Sequence, residues 1–421
     1  MAKYPFFLDY KEDFEKKVCF HSKKFNENQP YYKYFTGNQF EYYIVCNNCK
    51  DLDLDALKLI KFSQEDFETL LIDYVSNTVH QPDFNLKPTS SYSVTKEVIE
   101  FSELEEKKVL SIFKSKHSSK TTIFCLDDDF VLYKIDLTLA NQIKKYKLPI
   151  PEKIDIKEKL SIKISPKEKY IALSNIRGRF GLVYDLETKI NIYEFDRKDY
   201  YFDVSNFPFV FFLHAEKEFF IHGSDWNKLD IIDFDSQTNL TDRKVEYDKI
   251  YADYFYGELS VSPNNNKLVS YGWGWAPVGY IRSWDLLKWL GSNIHEPENG
   301  ESVVTFKPGD EWDLPTCWLD NEHIASTGRL DNGNFDYNFI RIFNVASGDE
   351  VGRLPGLGGN LEFNKVLYSY DKEEGTEIYN IETSELIFKD EKLFPDIILE
   401  KFHRVICYHG NGKFTVYSFE F

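Results

Sequence analysis

The strongest constraint on the fold is a repeat of strand–turn–strand units from about residue 94 to the C-terminus. Two copies are nearly explicit, at residues 160–188 and 259–286. In each copy a strand is followed by a Ser-Pro turn, a second strand and a third strand that ends in Asp. A repeat of this kind predicts a β-propeller, in which four-stranded blades surround a central axis.

The ends of the third strands mark the period of the repeat. Each combines an apolar residue with Asp or Asn, whose side chain can bond to its own turn and so favours a hairpin into the next strand. The markers are Ile135-Asp136, Tyr184-Asp185, Ile232-Asp233, Trp284-Asp285, Phe343-Asn344 and Tyr379-Asn380. We expect seven blades, at about 108–148, 159–197, 208–247, 258–306, 315–354, 359–390 and 397–421. Counts of six and eight stay open at this point.

The last unit contains only three clear strands, so the ring needs a fourth from elsewhere. Val94–Phe101 lies just before the first blade and could supply the missing outer strand. We expect this segment to pair with the C-terminal strand. Such closure removes the exposed sheet edges that invite aggregation.

Three sequence elements resemble the WD40-like β-propeller superfamily over about residues 94–421. They are Ser165-Pro166 with the strand that follows it, Ser262-Pro263 with its own strand, and Trp284-Asp285. Only one Trp-Asp pair occurs and the Gly-His dipeptide is absent, so the buried hydrogen-bond network of that family cannot be transferred to this chain. The resemblance implies a divergent propeller that acts as a scaffold or recognition platform for other proteins.

Residues 1–92 lack the repeat and predict a separate α+β module that precedes the propeller at 93–421. Phe67, Leu70, Leu71, Tyr74 and Val75 share one helical face behind a capping Ser63, and a shorter helix is expected at 54–62. Two prolines make 78–91 a linker.

The N-terminal module contains a candidate structural zinc site. Cys46 and Cys49 are spaced as in a zinc knuckle, and Cys19 and His21 can point to the same side of a strand. Three thiolates and one imidazole form a closed zinc set, which would stabilise the module without catalysing a reaction. Two alternatives remain, namely buried cysteines without a metal and a redox-active Cys-x-x-Cys pair.

A binding face is predicted where loops between the second and third strands meet loops between blades. Trp and Arg are enriched at binding hot spots because they bury a large area and keep a polar group. The residues of this predicted face are Arg177, Arg179, Trp226, Trp273, Trp275, Trp312 and Arg329. Gly272, Gly274 and Gly279 are expected to allow unusual backbone angles there. The alternative is that the tryptophans pack between blades or cover the base of the loops.

Charge and targeting signals narrow the range of partners and locations. The chain has 51 basic and 69 acidic residues, a net charge of −18 that disfavours nucleic acid and suits a basic protein partner. Acidic residues interrupt the N-terminus where a signal peptide needs an apolar stretch, and no apolar run is long enough to span a bilayer. We therefore expect a cytosolic protein with six reduced cysteines and no membrane partner.

The expected function is a non-enzymatic protein-binding scaffold. No P-loop, dinucleotide fingerprint, nucleophile elbow or His-Glu-x-x-His motif occurs, and no catalytic residue is predicted. Three alternatives remain: an inhibitor or immunity-type protein that sequesters a basic partner, a structural subunit of a larger assembly, and a propeller hydrolase or lyase. The sequence does not determine the oligomeric state.

Overall fold

A computed structural model describes residues 18–19, 24–25, 31–35, 42–46, 87–88, 92–115, 121–137, 142–245, 254–275, 278–306, 311–331 and 336–421. At the first four of these ranges, and at 329–331 and 336–337, the description covers the backbone. The chain divides into two units, Met1–Leu86 and Lys87–Phe421.

The described part of the first unit consists of two antiparallel hairpins. The first pairs β1 (Val18–Cys19) with β2 (Lys24–Phe25), and the second pairs β3 (Tyr31–Phe35) with β4 (Tyr42–Cys46). The helices predicted within 54–75 lie outside the described residues, as does the predicted linker apart from residues 87–88.

The second unit is a seven-bladed β-propeller, which confirms the predicted fold class. It begins with β5 (Ser93–Glu100) and a 3-10 turn at Ser102–Leu104. The first blade contains β6 (Val109–Phe113), β7 (Thr122–Asp127), β8 (Val131–Asp136) and β9 (Ile143–Lys147). The second contains β10 (Leu160–Ile164), β11 (Tyr170–Asn175), β12 (Phe180–Asp185) and β13 (Ile190–Asp196). The third contains β14 (Phe209–His214), β15 (Lys217–Asp225), β16 (Lys228–Asp233) and β17 (Thr238–Asn239).

The remaining blades follow the same antiparallel order. The fourth contains β18 (Tyr254–Val261), β19 (Lys267–Gly274), β20 (Val278–Asp285), the helices α1 (Leu286–Gly291) and α2 (Glu296–Asn299), and β21 (Val304–Phe306). The fifth contains β22 (Thr316–Trp318), β23 (His323–Asp331), β24 (Asp336–Asn344) and β25 (Glu350–Pro355). The sixth contains β26 (Asn360–Asn364), β27 (Val366–Asp371), β28 (Gly375–Asn380) and β29 (Glu385–Asp390). The seventh contains β30 (Ile397–Leu399), a 3-10 turn (Glu400–Phe402), β31 (Arg404–Tyr408) and β32 (Lys413–Glu420).

The N-terminal strand of the propeller closes the ring, as the sequence predicts. Strand β5 pairs antiparallel with β32 and completes the seventh blade as its outer strand. The register runs from Glu100 opposite Lys413 to Ser93 opposite Glu420. Ile99 on this strand is buried in the core between the last and first blades, where Phe414 and Val416 also lie. The two ends of the propeller are therefore held by hydrogen bonds and by core packing.

Each blade buries apolar side chains on both of its faces, because it is packed between two neighbours. In β7, Ile123 and Cys125 belong to the core shared with the seventh blade, whereas Phe124 and Leu126 belong to the core shared with the second. This two-sided burial explains why such strands are continuous apolar runs without polar alternation. Among the described residues, no helix is long and apolar enough to cross a membrane.

The predicted turn chemistry is confirmed at several third-strand ends. Oδ1 of Asp185 accepts the N–H of Thr188 at 2.9 Å, and Oδ1 of Asn344 accepts the N–H of Ala346 at 2.9 Å. The prediction of a hairpin is wrong at Asp285, whose side chain instead accepts the N–H of Lys288 and caps α1.

The reason for this exception lies in the residues that follow the marker. Leu286 and Trp289 are both fully buried, and the Trp289 ring lies 6.1 Å from that of Trp284. A helix places these two apolar side chains on one face, where they enter the core between the third and fourth blades. Burial of this pair therefore favours a helix over the tight turn.

Ion pairs at or near the first strands join several blades, including blades that are not neighbours. Nζ of Lys114, directly after β6, lies 3.1 Å from Oε2 of Glu362 on β26 and also contacts the carboxylate of Glu400. Lys163 on β10 pairs with Glu258 on β18. Burial lowers the pKa of Lys114, but the charges of Glu362 and Glu400 outweigh it and raise that pKa overall. These contacts link the first, sixth and seventh blades, and the second and fourth.

Candidate functional site

Seven aromatic side chains, from the third and fourth blades and from two loops between blades, meet on the face formed by the loops between blades and between second and third strands. We call them the aromatic cluster. Its members are Tyr200, Tyr201, Trp226, Phe255, Trp273, Trp275 and Trp312. The first two lie in the loop between β13 and β14, and the last lies in the loop between β21 and β22. The structure thus brings together all four tryptophans that the sequence assigned to one face.

The base of the aromatic cluster is a buried stack. Phe255 and Trp273 lie nearly parallel, with ring centroids 4.0 Å apart and an angle of 7° between the rings. Their side chains are 2% and 3% exposed. Trp226 packs 4.8 Å from Phe255, and Trp312 packs 5.8 Å from Trp273. Trp273 lies in β19 and not in a loop. Because it is buried, it supports the exposed rings of the aromatic cluster from below.

The outer layer of the aromatic cluster is open to solvent. Tyr200, Tyr201 and Trp275 are 48%, 43% and 52% exposed. Tyr201 packs edge-on against Trp275 at 5.2 Å and against Tyr200 at 4.8 Å. Three neighbouring rings thus form an exposed apolar patch on a rigid base, and such patches mark interaction sites. Aromatic rings also lose little conformational entropy when they bind, because they have few rotatable bonds.

Two glycines let backbones approach closely beneath this surface. A Cβ at Gly272 would lie 1.9 Å from the carbonyl oxygen of Phe255, and one at Gly279 would lie 1.8 Å from that of Glu311. Neither glycine has a positive φ, so the expected role in unusual backbone angles is wrong for both. They are required instead by the contact of β18 with β19 and of the loop before β22 with β20.

Arg197 fixes the loop that carries the two exposed tyrosines. Its guanidinium donates to the carbonyls of Gly178 at 2.9 Å, Asn206 at 3.2 Å and Ser205 at 2.8 Å, and also to that of Phe202. The side chain is buried, and burial lowers its pKa to about 10. A buried arginine with several backbone acceptors restricts the loop, so the tyrosines are held in place before any partner arrives.

Asp313 joins the loop that carries Trp312 to neighbouring elements. Its carboxylate accepts the N–H of Asn206 at 2.7 Å and that of Glu258 at 3.4 Å. Burial raises the pKa of Asp313 to about 7, although these two hydrogen bonds act in the opposite direction. In addition, Nε1 of Trp312 donates to the carbonyl of Val204 at 2.9 Å. The loops before the third and fifth blades are thus tied together under the aromatic cluster.

The predicted arginines occupy different surroundings. Arg179 makes a bidentate ion pair with Asp196, at 2.9 and 3.0 Å, and its guanidinium lies 4.9 Å from the ring centroid of Phe180. Arg177 is exposed in the same β11–β12 loop. Arg329 lies in β23 opposite Asn338, and its side chain lies outside the described part of the chain. Among the described contacts, neither Arg177 nor Arg179 joins the aromatic cluster.

A cavity of about 290 Å³ opens beside the aromatic cluster, between the fifth and sixth blades. We call it the acidic cavity. It is lined by Glu311, Leu314, Thr327, Gly328, Asn338, Gly358, Asp371, Glu373 and Glu374. Glu311 directly precedes Trp312, so the two features adjoin along the chain. The cavity is not evident from the sequence, because its carboxylates come from loops that are distant in the chain.

Of the four predicted zinc ligands, two belong to the described residues. Cys19 lies in β1 and Cys46 in β4, and only their backbones belong to the described residues. His21 and Cys49 lie outside them. Within the described side chains, no group of three or more His, Cys, Asp or Glu residues could hold a metal ion. The zinc site stays a prediction.

Comparison with known proteins gives no family assignment: no protein-family model matches the chain, and no curated protein matches it. The description of the site therefore depends on the geometry alone. Sequence reasoning found the tryptophans but missed Tyr200, Tyr201, Phe255, Arg197 and Asp313. The adjacent tyrosines in a loop between blades were the available signal, since Tyr is enriched at interfaces.

Proposed function

We propose that this chain is a non-enzymatic, cytosolic protein-binding scaffold, that its ring is a divergent WD40-like propeller, and that its partner docks on the aromatic cluster. The proposal is based on the two layers of that cluster, one buried and one exposed. A buried stack of Phe255 and Trp273 supports three rings that are each about half exposed. Large aromatic side chains on a rigid base resemble the hot spots of protein interfaces.

We infer that the partner presents a basic segment. The acidic cavity adds four carboxylates beside the apolar surface, and the whole chain carries a net charge of −18. Opposite charges steer partners together and set their orientation, while the buried apolar area supplies most of the affinity. A segment with aromatic or aliphatic residues next to Lys or Arg would complement both features.

The surroundings of Asp313 support a binding role over an enzymatic one. This residue combines a raised pKa with a position on the candidate face, which are features of many catalytic acids. However, its carboxylate accepts backbone N–H groups from Asn206 and Glu258. Its contacts are those of a residue that holds loops together.

The test is a selection of random twelve-residue peptides displayed against the intact protein. We expect the selected peptides to be enriched in Lys or Arg together with aromatic or aliphatic residues. Trp275→Ala and Tyr201→Ala should each weaken their binding by at least about tenfold, because exposed hot-spot side chains contribute on the order of 1–2 kcal/mol or more. Ile190→Ala is the matched control, since Ile190 is 54% exposed at the start of β13.

Two results would contradict this proposal. One is a set of selected peptides without basic residues. The other is equal binding of those peptides by the wild-type protein, Trp275→Ala and Tyr201→Ala, while all three proteins keep the same melting temperature.

We further propose that Cys19, His21, Cys46 and Cys49 hold one structural zinc ion in the N-terminal module. Support comes from the ligand types and from the Cys-x-x-Cys spacing. Metal analysis of the intact protein should give about one zinc per chain. Cys49→Ser should lose it, whereas Cys125→Ser, at a buried position in β7, should retain it. Zinc-free protein with four intact side chains would reject the site.

A further inference from the structure

Strand β5 forms an open edge on the outside of the ring. Within the part of the chain that the structure describes, it is the end strand of the seventh blade, and no strand pairs with its outer edge. Every blade has such an outer strand, but β5, with eight residues, is the longest of them in the described propeller. It contains neither Pro nor Gly. An edge strand exposes N–H and C=O groups that can pair with a further strand, so another chain can add to β5.

The side chains of β5 are exposed along the whole strand except at Ile99. Val94 and Val98 are 44% and 50% exposed. Because side chains alternate between the faces of a strand, four residues share one face: Val94, Lys96, Val98 and Glu100. Two exposed valines thus lie in one row with a cation and an anion, on a strand whose other edge is held by β32.

A second copy of β5 matches this edge in length and in hydrogen-bonding groups. Two identical strands that pair antiparallel are related by a two-fold axis perpendicular to the sheet, because residues opposite each other must point to the same face. One residue then lies opposite its own counterpart at the axis. The charges of the strand decide which residue this is, since like charges directly opposite each other destabilise the pairing.

One register of self-pairing gains ion pairs. The two longest registers place Lys96 opposite Lys96 or Glu97 opposite Glu97, so both oppose like charges. A register centred on Thr95 forms no ion pair. A register centred on Val98 places Lys96 opposite Glu100 on both sides of the axis. The sequence of the strand is therefore self-complementary in the Val98 register.

We propose that two copies of this chain form a dimer by antiparallel pairing of their β5 strands, with Val98 opposite Val98 of the second copy. The seventh blade then continues from one ring into the other as a single sheet. Glu100 lies between two cations in this dimer: Lys413 of its own sheet, whose Nζ is 3.2 Å from its Oε1, and Lys96 of the second copy. The valine pair supplies apolar contact at the axis, and the ion pairs set the register. This interaction is independent of the partner proposed for the aromatic cluster.

A cross-linking experiment on the full chain tests the register. Opposite residues of an antiparallel pair have Cα atoms about 4.5–5.5 Å apart, which is within the span of a disulfide. Val98→Cys should therefore form a disulfide-linked dimer under mild oxidation, seen on a non-reducing gel. Val94→Cys is the matched control, because Val94 is exposed on the same face but lies far from its own counterpart in this register. It should give no more cross-linked dimer than the wild type.

A charge exchange tests the ion pairs by sedimentation velocity over a concentration series. Lys96→Glu and Glu100→Lys should each raise the dissociation constant of the dimer by about tenfold or more, because each turns two ion pairs into two like-charge pairs. The double variant Lys96→Glu with Glu100→Lys should restore dimerisation, since the opposite charges again face each other.

Lys144→Glu is the control for the charge exchange. Lys144 is exposed on the outer strand β9, and its Nζ lies 4.9 Å from the ring centroid of Tyr146, much as Nζ of Lys96 lies 5.4 Å from that of Tyr417. This variant should dimerise as the wild type does. All variants should keep the wild-type melting temperature of the ring, because the exchanged side chains are exposed.

Several results would overturn the dimer. They are a wild-type protein that sediments as a monomer throughout the series, equal cross-linking of Val98→Cys and Val94→Cys, and a double exchange that does not restore dimerisation. Trp275→Ala separates the dimer from the proposed function: the variant should lose the displayed peptides and still dimerise. Loss of the dimer in Trp275→Ala would place the second copy on the aromatic cluster and would also overturn the pairing through β5.

Discussion

Two charged residues lie beneath the candidate face: Arg197 is buried and Asp313 is partly buried. Arg197 donates to backbone carbonyls of one loop, and Asp313 accepts backbone N–H groups from two elements. Each side chain provides hydrogen-bond partners for backbone groups of the loops beneath the aromatic cluster. The rigid presentation of Tyr200 and Tyr201 thus depends on charges beneath them.

Replacement of Asp313 by Asn should change how stability depends on pH. The pKa of Asp313 is about 7 in the folded protein, against 3.8 for a free carboxyl. Between these values the folded state binds the extra proton, so the stability of the wild type should fall as pH rises from 4 to 7. Asp313→Asn should remove this dependence and gain on the order of 2–4 kcal/mol at pH 8.

The measurement is chemical denaturation of both proteins at pH 5, 6, 7 and 8. Asp199→Asn is the control, because Asp199 is exposed in the loop between β13 and β14. Parallel pH profiles for wild type and Asp313→Asn would contradict the assignment of the dependence to this carboxyl.

At the residue scale, the sequence predicted the members of the candidate site that have a strong chemical signature. Tryptophans are conspicuous in a sequence, and the four that the sequence assigned to this face meet in the aromatic cluster. Arg197 and Asp313 were not predicted, because a buried charge is indistinguishable from a surface charge until its neighbours are known. The sequence placed Trp273 in a loop and assigned the nearby glycines to unusual backbone angles, whereas Trp273 lies in β19 and Gly272 and Gly279 make close backbone contacts.

At the element scale, the closing strand shows how a single segment secures the ring. Strand β5 forms eight register pairs with β32. Its side chains differ by face: Ile99 is 7% exposed within the core, whereas its neighbour Val98 is 50% exposed. Both residues lie in the same strand and the same hydrogen-bond ladder. Replacing each in turn therefore separates the contribution of side-chain packing from that of backbone pairing.

Ile99→Ala should lower the free energy of unfolding by about 2–4 kcal/mol, because it removes buried methyl groups and leaves a cavity. Val98→Ala on the same strand should change it by about 0.5 kcal/mol or less, since that side chain is exposed. Guanidinium denaturation, followed by tryptophan fluorescence, measures both. Equal losses in the two variants would show that packing of the buried Ile99 side chain contributes no more than the exposed Val98 side chain.

The elements were largely predictable because the repeat supplies many copies of one pattern. All seven blades and the closing strand were found near their observed bounds. The failure at Asp285 has a physical cause: the local signal for a turn was the same as elsewhere, but Leu286 and Trp289 had a core to enter. Whether a tight turn or a helix forms there depends on the core that the neighbouring blade offers to these side chains, and the local sequence does not show that core.

At the scale of the whole molecule, ion pairs near the axis complement the packing between neighbouring blades. Lys114 connects Glu362 and Glu400, which belong to the sixth and seventh blades. It also donates to the carbonyl of Ile398 at 2.7 Å. One side chain thus joins three blades, and its loss would leave two partly buried carboxylates without their cation.

Lys114→Met should therefore destabilise the protein by about 3–5 kcal/mol, the cost of removing one partner from a buried ion pair. Lys107→Met is the matched control, because Lys107 pairs with Asp129 at 2.9 Å on the surface. The control should unfold at nearly the wild-type denaturant concentration. If the two variants have the same midpoint, the axial ion pairs contribute no more than surface pairs.

The pairing of β5 with β32 also has a consequence for biosynthesis, because the two strands are made at different times. Ser93 and Glu420, which are hydrogen-bonded neighbours, lie 327 residues apart in the chain. At about 5–20 residues per second, a ribosome needs roughly 16–65 s to make the second after the first. Throughout that interval β5 has emerged with no strand to pair with, and the ring is an open arc of accumulating blades. We therefore expect slow codons late in the message, which lengthen this interval, to lower the yield of folded protein.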